Sequence, residues 1–237
     1  MNRIALMVFR NIVKVPGLWV KLCHYAKNTE RYPEEEKYFF IQHILKLGLN
    51  SGNINLQVFG KENIPETDGM LLYGNHQGLF DVVAVVTNFD RKLAGVIKKE
   101  AKDVPFIKQV IQCTKSFPMD RDDARQSLQV IQEVTKEVQA GRNYIIFPEG
   151  TRSRNGNEML PFHGGSFRAA IKAKCPVLPV AVVDTHKVFD NKGSAQITCQ
   201  LHYLPPIYYE EYQDMKAAEL AELVRGRIEE TVKKYSE

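Results

Sequence analysis

Residues 69–89 read GMLLYGNHQGLFDVVAVVTNF, and this stretch decides the fold. Its apolar start predicts a short buried strand, and 79–89 predicts a buried helix. His76 and Asp81 lie at the turn between them. On one helix these two side chains would lie on different faces, and on one strand they would point to opposite sides, roughly 16 Å apart. They can meet only if the chain bends, and Gly78 is placed where a bend needs its backbone freedom.

A strand–turn–helix corner is where α/β proteins place their chemistry. An imidazole that is oriented by a carboxylate can take a proton from a hydroxyl group, so His76 and Asp81 are candidate catalytic residues. From this pair alone, the alternative is that Asp81 caps the helix and His76 is a turn residue.

A second group of polar residues follows another apolar strand, 143–147. The segment Pro148-Glu149-Gly150-Thr151-Arg152-Ser153-Arg154 begins at the carboxyl end of that strand. The Arg152 guanidinium is suited to bind a phosphate in bidentate fashion, and Thr151 can add a hydroxyl hydrogen bond. Glu149 could hold a substrate hydroxyl or fix the loop. The alternative is a solvated loop with an internal Glu–Arg ion pair.

Apolar runs and amphipathic segments alternate along the rest of the chain. The predicted strands are 53–59, 70–73, 93–98, 115–119, 143–147, 177–183 and 196–203. The predicted helices of this body are 79–89, 103–113, 123–140, 165–174 and 215–235. Strands that alternate with helices predict an α/β fold, with a central mostly parallel mixed sheet flanked by helices. A chain of 237 residues is long enough for one such domain.

The basic surplus of the chain is concentrated at its N-terminus. The net charge is +4, and residues 1–28 contain five Lys or Arg and no Asp or Glu. On a helix, Arg3, Arg10, Lys14 and Lys21 fall within an arc of roughly 40°, and apolar residues occupy the other directions. A narrow basic stripe on an apolar helix favours an element that lies in the lipid interface, with its cations toward anionic headgroups.

Pro16-Gly17 should kink or divide this helix. A second helix, 34–47, would complete an N-terminal helical hairpin. We therefore expect amphipathic membrane-associating helices at 1–50 and one α/β domain at 51–237. The alternative is that both helices simply cover the sheet. Charges interrupt the first apolar run, so it predicts neither a transmembrane span nor a signal peptide.

Together the two polar clusters resemble the glycerolipid acyltransferase family. His76 and Asp81 match its His-x4-Asp motif, and 147–153 match its phosphate-binding motif residue for residue. The segment 117–121, which ends in Arg, resembles a further block, as does the apolar segment 177–180. The order and spacing agree over most of the chain. The Thr in the phosphate motif is similar to that of the 1-acylglycerol-3-phosphate branch of the family.

The resemblance implies an acyltransferase that moves a fatty acyl group from a thioester, acyl-CoA or acyl-carrier protein, to the free sn-2 hydroxyl of lysophosphatidate. The product would be phosphatidate, in phospholipid biosynthesis. His76 and Asp81 would be catalytic. The residues with an implied substrate-binding role are Arg121, Glu149, Gly150, Thr151, Arg152, Lys98 and Lys99. A thioester is already activated, so neither a metal ion nor a bound cofactor is expected.

Two features leave alternatives open. Lys98 and Lys99 follow a strand, where the family has a Lys-Glu element, but a solvated charge cluster would have the same sequence. His163 stands where the family often has a lysine. A neutral imidazole brings no charge, so His163 could replace that lysine only as a hydrogen-bonding group.

Other functions remain possible on the sequence. The acceptor could be another lysophospholipid or glycerol-3-phosphate. A thioester hydrolase could use the same pair on water, but the phosphate motif would then have no purpose. A noncatalytic lipid-binding protein could keep the fold, although the presence of both His76 and Asp81 argues against this.

The expected surroundings follow from charge and cysteine content. A nucleic-acid partner is not expected, because one narrow stripe lacks a broad basic face. Four separated cysteines, without a Cys-x-x-Cys pair, indicate a reducing compartment. We expect a peripheral or monotopic protein on the cytoplasmic face of a membrane, with the bacterial cell membrane as the first choice, and residues 1–28 on its anionic surface.

Overall fold

The central strands are apolar on both faces, and this determines how the protein is layered. The computed structural model describes residues 3–191 and 193–236. Its strands form one seven-stranded sheet and are β1 (Ile54–Phe59), β2 (Leu71–Gly74), β3 (Leu93–Lys98), β4 (Phe117–Met119), β5 (Asn143–Ile146), β6 (Val177–Val183) and β7 (Ile197–Tyr203). Every residue of β2, β5 and β6 is buried, as expected for strands that helices cover on both faces.

The strand order across the sheet is β1-β7-β6-β2-β5-β3-β4. β6 and β7 pair antiparallel, and all other neighbouring strands pair parallel. β1 and β7 therefore run opposite to the other strands, and the predicted mostly parallel mixed sheet is confirmed. The carboxyl ends of β2 and β5 lie side by side, since Tyr73 is in register with Ile146. This register brings the two polar clusters of the sequence to the same edge of the sheet.

The helices in the described part of the chain are α1 (Arg3–Arg10), α2 (Val15–Lys27), α3 (Glu34–Ser51), α4 (Phe80–Asn88), α5 (Ile107–Thr114), α6 (Ala124–Gln139), α7 (Arg168–Ala173), α8 (Lys187–Asp190), α9 (Tyr209–Tyr212) and α10 (Ala217–Tyr235). One face of the sheet is covered by α6, α7, α9 and α10. The other face is covered by α3, α4 and α8. The predicted α/β class is thus confirmed.

The N-terminal helices pack on this body. α2, α3 and α5 share a small apolar cluster that contains Leu22, Ile41 and Cys113. α3 is also bonded to the end of α4, because Tyr38 Oη and Gln42 Nε2 both donate to the Phe89 carbonyl oxygen, at 3.1 and 3.2 Å. Helices therefore precede the sheet as predicted, and α3 shares the core of the body. The domain boundary at residue 50 stays a prediction.

The first helix breaks earlier than Pro16-Gly17 led us to predict. α1 ends at Arg10, a turn follows, and Pro16 lies in the first turn of α2. A proline is tolerated there because the first N–H groups of a helix have no partner within the helix. The two residues therefore begin a helix, and the division lies just before them.

The predicted basic stripe is wrong at its first member. Arg3 is only 2% exposed, and its guanidinium donates to the carbonyl oxygens of Gly52, Val188 and Ala195 at 2.6–2.9 Å. A guanidinium carries five N–H donors, and here backbone carbonyl oxygens, not a carboxylate, accept from each of its three nitrogens. Arg3 therefore anchors α1 to the α/β body and is not available to lipid headgroups.

Candidate active site

His76 and Asp81 meet, as the spacing predicts. His76 lies in the loop after β2, and Asp81 lies in the first turn of α4. His76 Nδ1 and Asp81 Oδ2 are 2.7 Å apart. The His76 ring is stacked on Phe147, with 4.5 Å between ring centroids. The His76 side chain is 16% exposed to solvent. Nδ1 donates to the carboxylate in this arrangement, so Nε2 is the basic atom that remains for a substrate.

The bend between the two residues is made differently than predicted. Gly78 is not among the residues with positive φ, and a Cβ at its position would make an ordinary contact of 3.5 Å with His186 Cα. Instead, the N–H groups of Gln77 and Gly78 donate to Asp81 Oδ2 at 2.7 and 2.8 Å. The bend is therefore held by the Asp81 carboxylate, which caps the loop. The prediction that the bend needs the backbone freedom of a glycine at Gly78 was wrong.

Asp81 both caps the loop and contacts the imidazole, which the sequence analysis treated as alternatives. Its carboxylate is completely buried. Oδ2 accepts from His76, Gln77 and Gly78, and Oδ1 accepts from the Thr185 hydroxyl at 2.6 Å. Hydrogen bonds to the charged form favour that form, and they offset the cost of burial. The carboxylate is thus held in one orientation, with one edge toward the imidazole.

Glu149 holds two loops together. Its Oε1 accepts from the His76 backbone N–H at 2.8 Å, and its Oε2 accepts from the Leu160 N–H at 3.1 Å. Burial raises the pKa of Glu149, and the two N–H donors act in the opposite direction. Of the two roles considered for this residue, the contacts favour the loop-fixing role over a hydrogen bond to a substrate hydroxyl.

The segment after Glu149 forms a tight turn beside His76. Gly150 has a φ of +72°, and a Cβ there would lie 3.2 Å from His163 Cδ2, so both the backbone and the space favour glycine. The Ser153 N–H donates to the His76 carbonyl oxygen at 3.0 Å. Arg152 is half-buried, and its guanidinium makes no hydrogen bond or ion pair with any residue that the structure describes.

A cavity of about 710 Å³ opens along this edge of the sheet. Its polar side contains Arg121, Thr151, His163 and Arg168, and its apolar side contains Val96, Met119, Leu128, Ile131 and Ile146. Partial burial lowers the pKa of Arg121, and Glu100 raises it in part. Arg121 forms no hydrogen bond or ion pair within the described residues. The structure therefore brings Arg121, Gly150 and Thr151 to one cavity, whereas Arg152 is not among the residues that line it.

Lys98 and Lys99 lie outside this cavity lining. Lys98 Nζ is 3.2 Å from Glu100 Oε1, and Lys99 Nζ is 2.8 Å from Asp120 Oδ2. Both lysine side chains are more than half exposed. This is the geometry of a solvated charge cluster, which was the alternative to phosphate binding, and exposed pairs of this kind stabilise little.

The sequence analysis missed a polar network behind the His76–Asp81 pair. Gln77 Nε2 donates to Asn157 Oδ1 at 2.8 Å, and Gln77 Oε1 accepts from the Thr185 N–H at 3.1 Å. Asn157 in turn bonds to both the backbone and the carboxylate of Asp184. The signal was present, because Asp184-Thr185-His186 follows the buried strand β6 just as 148–154 follows β5. No group of His, Cys, Asp or Glu in the described residues is arranged to hold a metal ion.

The chain is similar in sequence to known proteins over most of its length. Residues 55–183 match the family model described as acyltransferase. The chain is 34% identical over 170 residues to the 1-acyl-sn-glycerol-3-phosphate acyltransferase of Salmonella typhimurium, which covers 70% of this chain and 69% of that protein. It is 29% identical over 195 residues to the enzyme of the same name from Saccharomyces cerevisiae, where the match covers 81% of this chain and 63% of the yeast protein.

A solved structure shares the whole architecture. The crystal structure of the 1-acyl-sn-glycerophosphate (LPA) acyltransferase PlsC from Thermotoga maritima superposes with a TM-score of 0.77. The match covers 97% of this chain and 94% of that one, at 20% identity, and it therefore supports the fold. With the family model spanning more than half of its length, this chain belongs to the acyltransferase family and is an enzyme of that class.

Proposed function

We propose that this enzyme transfers a fatty acyl group from a thioester donor to the sn-2 hydroxyl of 1-acylglycerol-3-phosphate, with phosphatidate as the product. The observation that carries the proposal is the 2.7 Å contact between His76 and the fully buried Asp81, together with two arginines, Arg121 and Arg152, that have no partner among the described residues. The relatives from Salmonella typhimurium and Saccharomyces cerevisiae carry the name of this activity.

The reaction needs a base and later an acid at one atom. His76 Nε2 takes the proton of the sn-2 hydroxyl as its oxygen forms a bond to the thioester carbonyl carbon. The tetrahedral intermediate then breaks its carbon–sulfur bond, and the leaving thiolate receives the same proton from Nε2. Asp81 holds the tautomer and stabilises the imidazolium between these two steps.

The arginines account for a phosphate on the acceptor. A half-buried guanidinium without a partner is suited to bind a phosphate through two parallel hydrogen bonds. The Ser153–His76 backbone bond keeps the Arg152 loop beside the base, so a phosphate held there would place its glycerol hydroxyl near Nε2. Arg121, which lines the cavity beside Gly150 and Thr151, would share the phosphate charge. The apolar side of the cavity is suited to an acyl chain.

Other activities fit these contacts less well. A thioester hydrolase would leave Arg121 and Arg152 without a ligand. A noncatalytic lipid-binding protein would have no need of a buried carboxylate aligned on an imidazole. Acyl-CoA and acyl-carrier protein are the two candidate donors, and a different lysophospholipid or glycerol-3-phosphate is the alternative acceptor.

The N-terminal helices support a place on a membrane surface. Phe9, Ile12, Val13 and Val20 are each at least 60% exposed, which is unusual for large apolar side chains that lie close together in the chain. Arg10, Lys14 and Lys21 are exposed on the same two helices and the turn between them. No helix in the described residues is both long and apolar enough to cross a bilayer. The proposed mode is therefore interfacial, with apolar residues in the lipid and cations at anionic headgroups.

A panel assay tests the function. Purified protein is given labelled lysophosphatidate, glycerol-3-phosphate, lysophosphatidylcholine or water as acceptor, each with acyl-CoA and with acyl-carrier protein as donor. We expect the highest kcat/KM with lysophosphatidate, and a drop of at least about 100-fold in His76→Ala. Release of free fatty acid at the same rate with and without acceptor would instead identify a hydrolase.

A further inference from the structure

The two oxygens of the Asp81 carboxylate are held by different parts of the chain. Oδ2 accepts from its own loop, through His76, Gln77 and Gly78. Oδ1 accepts from the Thr185 hydroxyl at 2.6 Å, and Thr185 lies just after β6, 104 positions further along the chain. Among the described residues, no other group donates to Oδ1. One side of the catalytic carboxylate therefore depends on a single hydroxyl.

The Thr185 hydroxyl has one proton and two acceptors within reach. Gln77 Oε1 lies at 2.9 Å and Asp81 Oδ1 at 2.6 Å. Gln77 Oε1 already accepts from the Thr185 backbone N–H, while Oδ1 is charged and has no other donor. The proton therefore belongs on the bond to Asp81, because hydrogen bonds to a charged acceptor are the stronger ones.

The threonine itself is well fixed. Thr185 is completely buried, and Gln77 ties it to the backbone of β6, since Gln77 Nε2 donates to the Val182 carbonyl oxygen at 3.0 Å. A buried hydroxyl with a fixed backbone cannot follow a carboxylate that turns. It thus restricts rotation of the Asp81 carboxylate about the bond that carries it.

We propose that Thr185 is a positioning residue for the catalytic pair: its hydroxyl holds Asp81 Oδ1, and so keeps Oδ2 directed at His76 Nδ1. This inference rests on the proposed role of His76 as the base. It predicts that the hydroxyl, and not the bulk of the side chain, determines both the orientation and the charge balance of the pair.

The decisive substitution is Thr185→Val, which removes the hydroxyl and keeps the shape. A carboxylate that is free to rotate no longer directs Oδ2 at Nδ1, so the imidazolium is stabilised less by its charge. We expect the pKa of His76 to fall by about 0.5–1. We also expect kcat to fall by about 10- to 100-fold, because the carboxylate is free to rotate, while KM for both substrates changes little.

Two further variants separate the hydroxyl from its surroundings. Thr185→Ser keeps a hydroxyl at the same place, so it should retain most of the wild-type rate. Thr87→Val is the matched control, because Thr87 is a buried threonine on α4 whose hydroxyl donates to the Val83 carbonyl oxygen and does not contact Asp81. It should leave both kcat and the pKa of His76 unchanged.

The first readout is the NMR titration of the His76 ring in substrate-free protein, with its signal identified by its absence in His76→Ala. This titration needs no turnover, so it remains informative even if the proposed reaction is wrong. The other titratable groups against this loop, Glu149 and His186, are the same in every variant. The second readout is kcat of the same variants on the best acceptor.

The outcomes divide clearly. A lowered pKa of His76 in Thr185→Val, with Thr185→Ser and Thr87→Val at the wild-type value, supports the proposal. A pKa that stays at the wild-type value in Thr185→Val overturns it, even if the rate or the melting temperature falls, because the hydroxyl would then serve packing alone. If Thr185→Val does not fold, Thr185→Cys keeps the volume with a weaker donor, and it should shift the pKa in the same direction by less.

Discussion

The carboxylates around His76 and the two arginines of the site, Arg121 and Arg152, differ in whether the protein itself supplies their hydrogen-bond partners. Asp81 and Glu149 accept hydrogen bonds on all four of their carboxylate oxygens from groups within the protein. Arg121 and Arg152 have no hydrogen bond or ion pair within the described residues. A buried carboxylate without donors would be costly, whereas a partly exposed guanidinium stays hydrated until a ligand arrives. The protein itself therefore orders the imidazole, and the two guanidinium groups remain available to a ligand.

Asp81→Asn should produce the largest effect on the ordered side. The amide oxygen can keep the three donors of Oδ2, and the amide nitrogen can donate to Thr185 if that hydroxyl turns to Gln77 Oε1. The fold should thus survive, with a melting temperature within about 3 °C of wild type. The rate should fall by about 10³–10⁴-fold, because a neutral amide cannot stabilise the imidazolium. Steady-state kinetics and calorimetry of one preparation measure both quantities. A rate within tenfold of wild type would show that Asp81 serves the loop only.

Arg152→Ala should produce the next largest effect, and of a different kind. We expect kcat/KM for phosphate-bearing acceptors to fall, mainly through a higher KM, by a factor that corresponds to about 2–4 kcal/mol of transition-state stabilisation. No matching loss is expected for the acyl donor. The melting temperature should not change, since no hydrogen bond is lost in the free protein.

Arg154→Ala is the matched control for Arg152, because Arg154 is an exposed arginine in the same loop. Its kinetics should stay close to wild type. Equal losses in Arg152→Ala for donor and acceptor would contradict a phosphate site, and a lower melting temperature would show that the guanidinium has a structural partner after all.

The N-terminal helices extend the comparison to apolar groups that the protein leaves uncovered. Replacing Phe9, Ile12 and Val13 together by serine should reduce binding to anionic vesicles by at least about tenfold, because apolar surface is removed from the interface. Activity on detergent-dispersed acceptor should be kept. Flotation with vesicles measures the binding, and Tyr208→Ser, at an exposed aromatic residue before α9, is the control. If the triple variant floats as wild type does, these residues have no role at the membrane.

The smallest effects should come from the lysines that already have partners. Lys98→Ala and Lys99→Ala each break one exposed ion pair, so each should change kcat/KM for the acceptor by less than about fivefold. A loss as large as that of Arg152→Ala would return these lysines to the phosphate site. Measuring all three variants with one acceptor decides between the two.

Much of the fold could be predicted because its signals are local. Buried strands such as β2 and β6 are continuous apolar runs, and amphipathic segments such as α6 show their period directly. The meeting of His76 and Asp81 also followed from spacing, since only a bend can bring them together. The position of the 148–154 loop beside His76 agrees with the polar residues found after two apolar strands, β2 and β5, which are neighbours in the sheet.

What could not be predicted depends on contacts between distant parts of the chain. Arg3 has the periodicity of a surface cation, and only the carbonyl groups of 52, 188 and 195 make it a buried anchor. The donor of Asp81 Oδ1 is Thr185, and no local pattern links the two residues. Gly78 suggested a flexible turn because glycine permits one, although the bend is produced by the Asp81 carboxylate.

The donors of Asp81 have a consequence for hydrogen exchange. Amide protons in loops normally exchange with solvent deuterium quickly, because they face water. The amide protons of Gln77 and Gly78 are instead bonded to a carboxylate oxygen that no water reaches. They can exchange only when the corner between β2 and α4 opens, so their protection factors should match those of the buried strands. By this measure, the loop that holds the base belongs to the most slowly opening part of the molecule.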